Sequence, residues 1–266
     1  MPKKLTGAVL YQECLHEDCY RMVIRTEPAF LEQAQPGQFI HLKVNELSGP
    51  LLRRPFSIHQ VNRAEKTISL LYAVVGQGTR IMAADLPGKK MSLLGPLGTG
   101  FPSLDASTHH VILVGGGLGA APLLFAAERL CQEGKKVEVI LGFPSQDRVM
   151  LLKDFQQTGA VVSIATDDGS EGFAGYPTTL LEQQLKENRK GVVFACGPHA
   201  MLENVASVCG EAGVSAWISM EERMACGIGA CLGCMVRIRD DQGGHYEKAC
   251  KDGPVFKASE VIFDEF

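Results

Sequence analysis

The hydrophobic period of this chain changes once, at the Gly/Pro-rich stretch Pro96-Leu97-Gly98-Thr99-Gly100-Phe101-Pro102, and that change limits the available folds more than any other feature. Before it lie short β-type runs at Leu5–Tyr11, Tyr20–Arg25, Gln38–Val44, Arg53–Gln60, Thr67–Val75 and Lys90–Leu94. Turn signals at Gln35-Pro36-Gly37, Ser48-Gly49-Pro50 and Pro87-Gly88 separate several of them. Strands at this spacing with no long helical pattern predict a small antiparallel barrel or sandwich.

After the stretch the pattern alternates. His110–Val114 is a short apolar run that leads through glycines into Ala120–Leu130 at helical spacing. Further strand-like runs follow at Val137–Leu141, Val161–Ala165, Gly191–Cys196 and Ser215–Ser219, with helical patterns such as Thr178–Lys186 and His199–Cys209 between them. Repeated βα units predict a doubly wound parallel α/β sheet covered by helices. From Met220 the chain holds a cysteine-rich tail with two possible strands, Met235–Arg239 and His245–Lys248. The expected division is therefore 1–100, 101–219 and 220–266, and 266 residues suffice for more than one core. The tail is too short for a core of its own, so a bound group is expected to supply much of its stability.

The tail reads Met224-Ala225-Cys226-Gly227-Ile228-Gly229-Ala230-Cys231-Leu232-Gly233-Cys234, with Cys250 16 positions further on. C-x4-C-x2-C followed by a distant fourth cysteine suits a plant-type [2Fe–2S] cluster. The glycines let the backbone wrap tightly and aim N–H groups at anionic sulfurs. Cys231-x2-Cys234 alone also fits half a zinc ribbon, but a ribbon wants a second pair and only Cys250 follows. Disulfides fit worse: the nine cysteines are an odd number and the N-terminal residues lack a signal-peptide apolar core. A reducing, cytoplasmic compartment is expected. No apolar run of about 18 residues predicts a membrane span. A net charge of −4 without a long basic run argues against nucleic acid as a ligand.

Four further segments are suited to binding. Gly115-Gly116-Gly117-Leu118-Gly119 lies between the first apolar strand and its helix, where N–H groups can hold a diphosphate, although the spacing departs from G-x-G-x-x-G and tight strand-to-helix packing explains it equally. Ligands of an open parallel sheet sit beyond the carboxyl ends of its strands. Two segments occupy such ends: Thr166-Asp167-Asp168-Gly169-Ser170, which is also ordinary turn chemistry, and Cys196-Gly197-Pro198, whose thiol is also a plain buried group. In the β segment, Arg53-Arg54-Pro55-Phe56-Ser57-Ile58 and Gly76-Gln77-Gly78-Thr79 offer a guanidinium fork, a hydroxyl and N–H donors. A strand end with solvated arginines and a tight turn is the plainer reading of each.

Taken in order, Arg54-Pro55-Phe56-Ser57, Gly78-Thr79, Gly115–Gly119 and Cys196-Gly197-Pro198 resemble the ferredoxin–NADP reductase-like flavoprotein family. Its members pair an FAD-binding β-barrel with an NAD(P)-binding α/β domain. The tail from Glu221-Glu222-Arg223 through Cys234 is similar to that of electron-transfer subunits of NAD-linked, two-component dihydroorotate dehydrogenases. The resemblance covers essentially the whole chain. It implies FAD contacts from Arg54, Pro55, Phe56, Ser57, Leu71, Tyr72, Ala73, Gly78 and Thr79, although Ala73 stands where the family often has a basic residue. It implies NAD contacts from Gly115, Gly116, Gly117, Leu118, Gly119, Thr166, Asp167, Cys196, Gly197 and Pro198. Cys226, Cys231, Cys234 and Cys250 would ligate the [2Fe–2S] cluster.

The implied activity belongs to pyrimidine biosynthesis. An FMN-containing catalytic subunit oxidises dihydroorotate, and a chain of this kind takes the electrons through [2Fe–2S] and FAD to NAD+, in a heterotetramer of two of each. No dihydroorotate site is expected here, and NADH is preferred over NADPH only by the resemblance. Exposed Ile228 and Leu232 would form part of the partner contact, or else pack inward. The alternatives are an NAD(P)H reductase subunit of another ferredoxin- or hydrogenase-linked complex and a zinc-bearing interaction module.

Overall fold

The computed structural model describes residues 3–44, 49–84, 87–187 and 191–263. Ser48 of the expected turn Ser48-Gly49-Pro50 lies outside the described residues. Six antiparallel strands close the N-terminal barrel: β1 (Lys3–His16), β2 (Cys19–Arg25), β3 (Phe39–Lys43), β4 (Arg54–Asn62), β5 (Thr67–Ala73) and β6 (Lys90–Leu97), in the order β1-β2-β5-β4-β3-β6. Their period of two is visible in what they bury. Met22 and Ile24, Ile40 and Leu42, Ile68 and Leu70, and Met91 and Leu93 fill the interior from four strands. Helix α1 (Pro28–Gln33) adds Phe30 and Leu31 to the same core, and its proline stands at the helix start, where a missing N–H costs nothing.

The second unit is a seven-stranded sheet. Six of its strands are parallel: β7 (His110–Gly116), β8 (Lys136–Phe143), β9 (Val161–Thr166), β10 (Phe173–Ala174), β11 (Val192–Cys196) and β12 (Ala216–Ser219). Helices α3 (Ala120–Gln132) and α4 (Leu152–Gln157) pack on one face, and α5 (Pro177–Lys186) and α6 (His199–Glu211) on the other. The order β10-β9-β8-β7-β11-β12 reverses direction between β7 and β11. Such a switch opens a crevice at the carboxyl ends of those two strands.

The tail is less separate than its length suggested. It forms the hairpin β13 (Met235–Ile238) and β14 (His245–Lys248), and then β15 (Val255–Lys257) pairs antiparallel with β12 as the seventh strand of the large sheet. Val236, Ile238, Phe256 and Val261 share one core with Leu181 of α5 and Leu202 of α6. Packing therefore holds the tail in place beside whatever group its cysteines bind. Among the described residues no helix is long and apolar enough to cross a membrane.

Candidate functional site

A cavity of about 390 Å³ opens where the barrel meets the sheet. Eight of the nine residues expected at FAD line it: Arg54, Pro55, Phe56 and Ser57 from β4, Leu71, Tyr72 and Ala73 from β5, and Thr79. The ninth, Gly78, lies behind Arg54, and a Cβ there would stand 3.2 Å from the Arg54 Nε. Gly76-Gln77-Gly78-Thr79 is not a loop. Gly76 caps a seven-residue helix, α2 (Gln77–Ala83), and the Thr79 hydroxyl accepts from the N–H groups of Val75 (3.0 Å) and Gly76 (3.2 Å).

The two arginines have different tasks. Arg53 turns away and donates to the Ser92 carbonyl and hydroxyl, both at 2.8 Å, and to the His41 carbonyl at 3.2 Å. Arg54 faces the cavity, donates to the Leu52 carbonyl at 2.7 Å and has no carboxylate partner among the described residues. Tyr72 is fixed by its hydroxyl, which donates to Gln12 at 2.6 Å, and by stacking on Tyr20 at 5.8 Å. A planar ring system with a phosphate tail fits this combination of flat aromatic and apolar wall and a guanidinium without a carboxylate partner.

Sequence reasoning missed the other wall. Phe39, Ala121, Pro122, Ser219, Met220, Glu221, Glu222, Met224 and Pro254 also line the cavity. Two of these are carboxyls, Glu221 and Glu222, and desolvation raises the pKa of both. The only signal available was the position of Glu221–Met224 directly before the cysteine motif. Met224 touches the cavity two residues before Cys226, so the cavity and the cysteine loop are contiguous along the backbone.

At the switch point the two expected NAD turns abut. A Cβ on Gly119 would lie 2.4 Å from the Cys196 carbonyl oxygen and 2.6 Å from the Gly197 Cα, and one on Gly116 would lie 2.8 Å from Pro198 Cδ. Gly117 takes φ +53° and has nothing within 4 Å of its Cβ position, so its backbone faces open space. Leu118 reaches across to the cavity. Cys196 is a plain buried thiol: burial, with a smaller contribution from the Glu221 charge, pushes it far up. Thr166 is fully buried and its hydroxyl is committed to the turn, donating to the Glu171 carbonyl at 2.8 Å and accepting from the Glu171 N–H at 3.0 Å. It is not free to meet a ribose, whereas Asp167 is exposed.

The four tail cysteines lie in two neighbouring pairs. Cys226 contacts Cys231, Cys250 contacts Cys234, and Cys250 also feels the charge of Cys226. Backbone N–H groups point at the sulfurs, from Gly229 to Cys250 at 3.2 Å and from Ala230 to Cys226 at 3.3 Å. Partial burial would raise the Cys226 thiol, but N–H groups of Ile228, Cys231 and Ala230 and the Cys231 thiol outweigh it and bring it to about 6. Cys250 is pushed up to about 12 by burial and by Cys234. Gly227, Gly229 and Leu232 all take left-handed backbone, with φ +70°, +82° and +58°. For Leu232 that conformation is strained, as is common where a loop wraps a bound group. Two cysteine pairs, with N–H donors aimed at Cys226 and Cys250, suit an anionic iron–sulfur cluster. The set has a dry side and a wet side: Cys234 and Cys250 are buried, Cys231 is exposed, and Ile228 and Leu232 project outward.

Known proteins with this architecture agree. A family model described as the iron-sulfur cluster binding domain of dihydroorotate dehydrogenase B matches residues 221–262. Among solved structures, one of the NADH-dependent reduced ferredoxin-NADP oxidoreductase superposes with a TM-score of 0.84 at 26% identity, over 97% of this chain and 90% of that one. The ferredoxin reductase of carbazole 1,9a-dioxygenase shares the fold, with a TM-score of 0.70 at 20% identity over 80% and 67% of the two chains. The dihydroorotate dehydrogenase B (NAD(+)) electron transfer subunit of Desulforamulus reducens is 39% identical over 89% of this chain and 90% of its own. That of Shouchella clausii is 40% identical over 96% of both. Likeness of this degree along nearly the whole length settles kinship, and the chain belongs to the family of dihydroorotate dehydrogenase B (NAD(+)) electron transfer subunits.

Proposed function

We propose that this chain carries electrons from a dihydroorotate-oxidising, FMN-containing partner to NAD+, in the cytoplasm and in an assembly of two chains of each kind. The observation that carries the reading is the continuity between Met224 at the cavity and Cys226 in the sulfur loop. A cluster held by Cys226, Cys231, Cys234 and Cys250 exchanges electrons singly, and FAD in the cavity exchanges them singly or in pairs, as hydride delivery to NAD+ requires.

The chain's residues divide the remaining tasks. Arg54 and the start of α2 hold the flavin's phosphates, and Tyr72, Phe56 and Leu71 wall its ring. Gly115–Gly119 and Cys196-Gly197-Pro198 form the switch-point crevice for the dinucleotide, beside the cavity wall made by Leu118. The exposed Ile228 and Leu232, 49% and 60% accessible, flank Cys231 on the wet side of the sulfur loop and offer an apolar surface to the partner. Dihydroorotate itself is bound by the partner. The working units are 1–100 for FAD, 101–219 for NAD and 220–266 for the cluster, the last docked through β15.

Co-expression with the candidate FMN subunit, followed by cofactor analysis and a dihydroorotate-dependent NAD+ reduction assay, tests the reading. Activity that needs both chains is expected; a complex without it overturns the assignment. The likeness to the NADH-dependent ferredoxin-NADP oxidoreductase favours a second reading, a reductase serving a ferredoxin- or hydrogenase-linked complex. Co-purification with such a partner, and without an FMN protein, selects it.

A further inference from the structure

Strand β3 alternates, so Ile40 and Leu42 enter the barrel core while Phe39 and His41 face outward. An outward histidine on a small barrel ordinarily meets water, yet His41 is 0% exposed. The sulfur loop covers it. A Cβ built on Gly227 would lie 2.7 Å from both Cε1 and Nδ1 of the ring. Gly227 directly follows Cys226 and takes φ +70°, so both the backbone and the ring require glycine there.

The ring has no polar partner of its own. Neither Nδ1 nor Nε2 of His41 makes a hydrogen bond among the described residues. A neutral imidazole carries one N–H and one lone pair, and native structures rarely bury a donor without an acceptor unless a bound group completes the site. The other fully buried histidine, His59, has a partner for Nδ1 in the Ala121 carbonyl at 2.7 Å. Around His41, Phe39 presents an edge-on contact at 5.9 Å, and Arg53 bonds the His41 carbonyl and leaves the ring alone. Burial, then the charges of Arg53 and Arg54, lower the His41 pKa to about 4.

We infer that the ring N–H of His41 donates to an inorganic sulfide of the iron–sulfur cluster, so that the barrel strand sets the cluster's reduction potential from outside the cysteine loop. This rests on the proposed placement of the cluster on the four cysteines. A donor aimed at sulfur stabilises the reduced, more negative cluster and raises its potential. Phe39, two residues earlier on the same face of β3, lines the flavin cavity, so one strand touches both electron sites.

The test uses the FAD- and cluster-loaded protein with nitrogen-15-labelled histidine, reduced by one electron and read by pulsed EPR. A histidine nitrogen coupling to the cluster spin is expected in the unaltered protein and absent in His41→Gln, where the amide still donates but carries no label. His41→Leu should lower the cluster potential by about tenfold in electron-exchange equilibrium, about 59 mV for a one-electron couple, and His41→Gln by less. The flavin potential should not move. A normal cluster signal without histidine coupling, or a coupling that persists in His41→Gln, overturns the inference while leaving the cluster placement intact. A protein with flavin but no iron–sulfur signal overturns both. If His41→Leu fails to fold, the labelled unaltered protein decides alone.

Discussion

The Nδ1 of His59, on β4, lies 2.7 Å from the carbonyl oxygen of Ala121, in the first turn of α3. With an acceptor facing it, Nδ1 carries the proton and donates. The bond joins the strand that bears Arg54–Ser57 to the helix that follows the glycine turn, and Ala121 itself lines the cavity between barrel and sheet. Gln60 with Glu128, and Arg21 with Asp154 at 2.8 Å, brace the same junction. Barrel and sheet thus meet as one frame across this junction.

Burial of the His59 ring gives the junction a pH dependence. Burial lowers the His59 pKa from 6.5 to about 4, opposed by the Ala121 bond. Between those values the unfolded chain holds a proton that the folded His59 refuses, so stability falls as pH drops from 6.5 and levels off below 4. The full effect is on the order of 3 kcal/mol. Urea unfolding followed from pH 7 to pH 4 should show a smaller slope in His59→Asn, which keeps a donor near the Nδ1 position but does not titrate. An equal slope in both proteins removes His59 as the titrating group.

Gly119→Ala should separate the two switch-point turns, because its Cβ would stand 2.4 Å from the Cys196 carbonyl oxygen. The backbone there cannot yield as a flexible side chain would. A loss of about 1–3 kcal/mol in stability is expected, with a raised KM for NADH in an assay using an artificial acceptor and unchanged flavin content. Gly134→Ala is the control: φ is +75° and its Cβ position is open, so it should cost about 1 kcal/mol of strain without touching KM.

Adjacent arginines should give opposite phenotypes. Arg54→Ala removes the one guanidinium that faces the cavity among the described residues, and should weaken FAD retention about tenfold or more, the worth of a charge-assisted contact. Arg53→Ala breaks the ties to Ser92 and His41, and should lower the melting temperature while the flavin stays bound. The flavin-to-protein ratio after dialysis, measured beside thermal melts, separates the two. Equal flavin loss in both variants would contradict the division.

Much of this architecture was legible in the chain because period and burial coincide. The six barrel strands and the central strands of the sheet show up as apolar runs of the right period. Short elements did not: α2 begins on glycines and a threonine that also read as a loop, and β15 is three residues whose strand character comes only from pairing with β12. The cavity-lining residues of β4 and β5 were singled out by resemblance, whereas Glu221, Glu222 and Pro254 reach the cavity by tertiary folding that no local pattern encodes. Thr166 was expected at the dinucleotide, and its hydroxyl bonds the Glu171 backbone, since hydroxyls next to Asp-Asp-Gly-Ser serve the backbone as readily as a ribose. His41 left no trace in sequence, because a single histidine at an outward strand position is ordinary until something covers it.

Cys231→Ser tests whether the sulfur loop and the flavin cavity are separable. Cys231 is the exposed member of the set, whereas Cys234 and Cys250 lie in the shared core, so replacing it disturbs little packing. The tail should stay folded on Val236, Ile238 and Phe256 and on the β12–β15 pairing. Serine's harder oxygen is a poorer ligand for a cluster that selects thiolates. The expected protein therefore keeps its flavin and oxidises NADH with artificial acceptors, yet lacks the cluster's EPR signal and no longer exchanges electrons with the partner subunit. Cys250→Ser, with its side chain buried and accepting from the Gly229 N–H, should lose stability as well. If Cys231→Ser instead loses flavin and NADH oxidation together with the cluster, the contiguity through Met224 is a mechanical dependence, and the two sites fold as one.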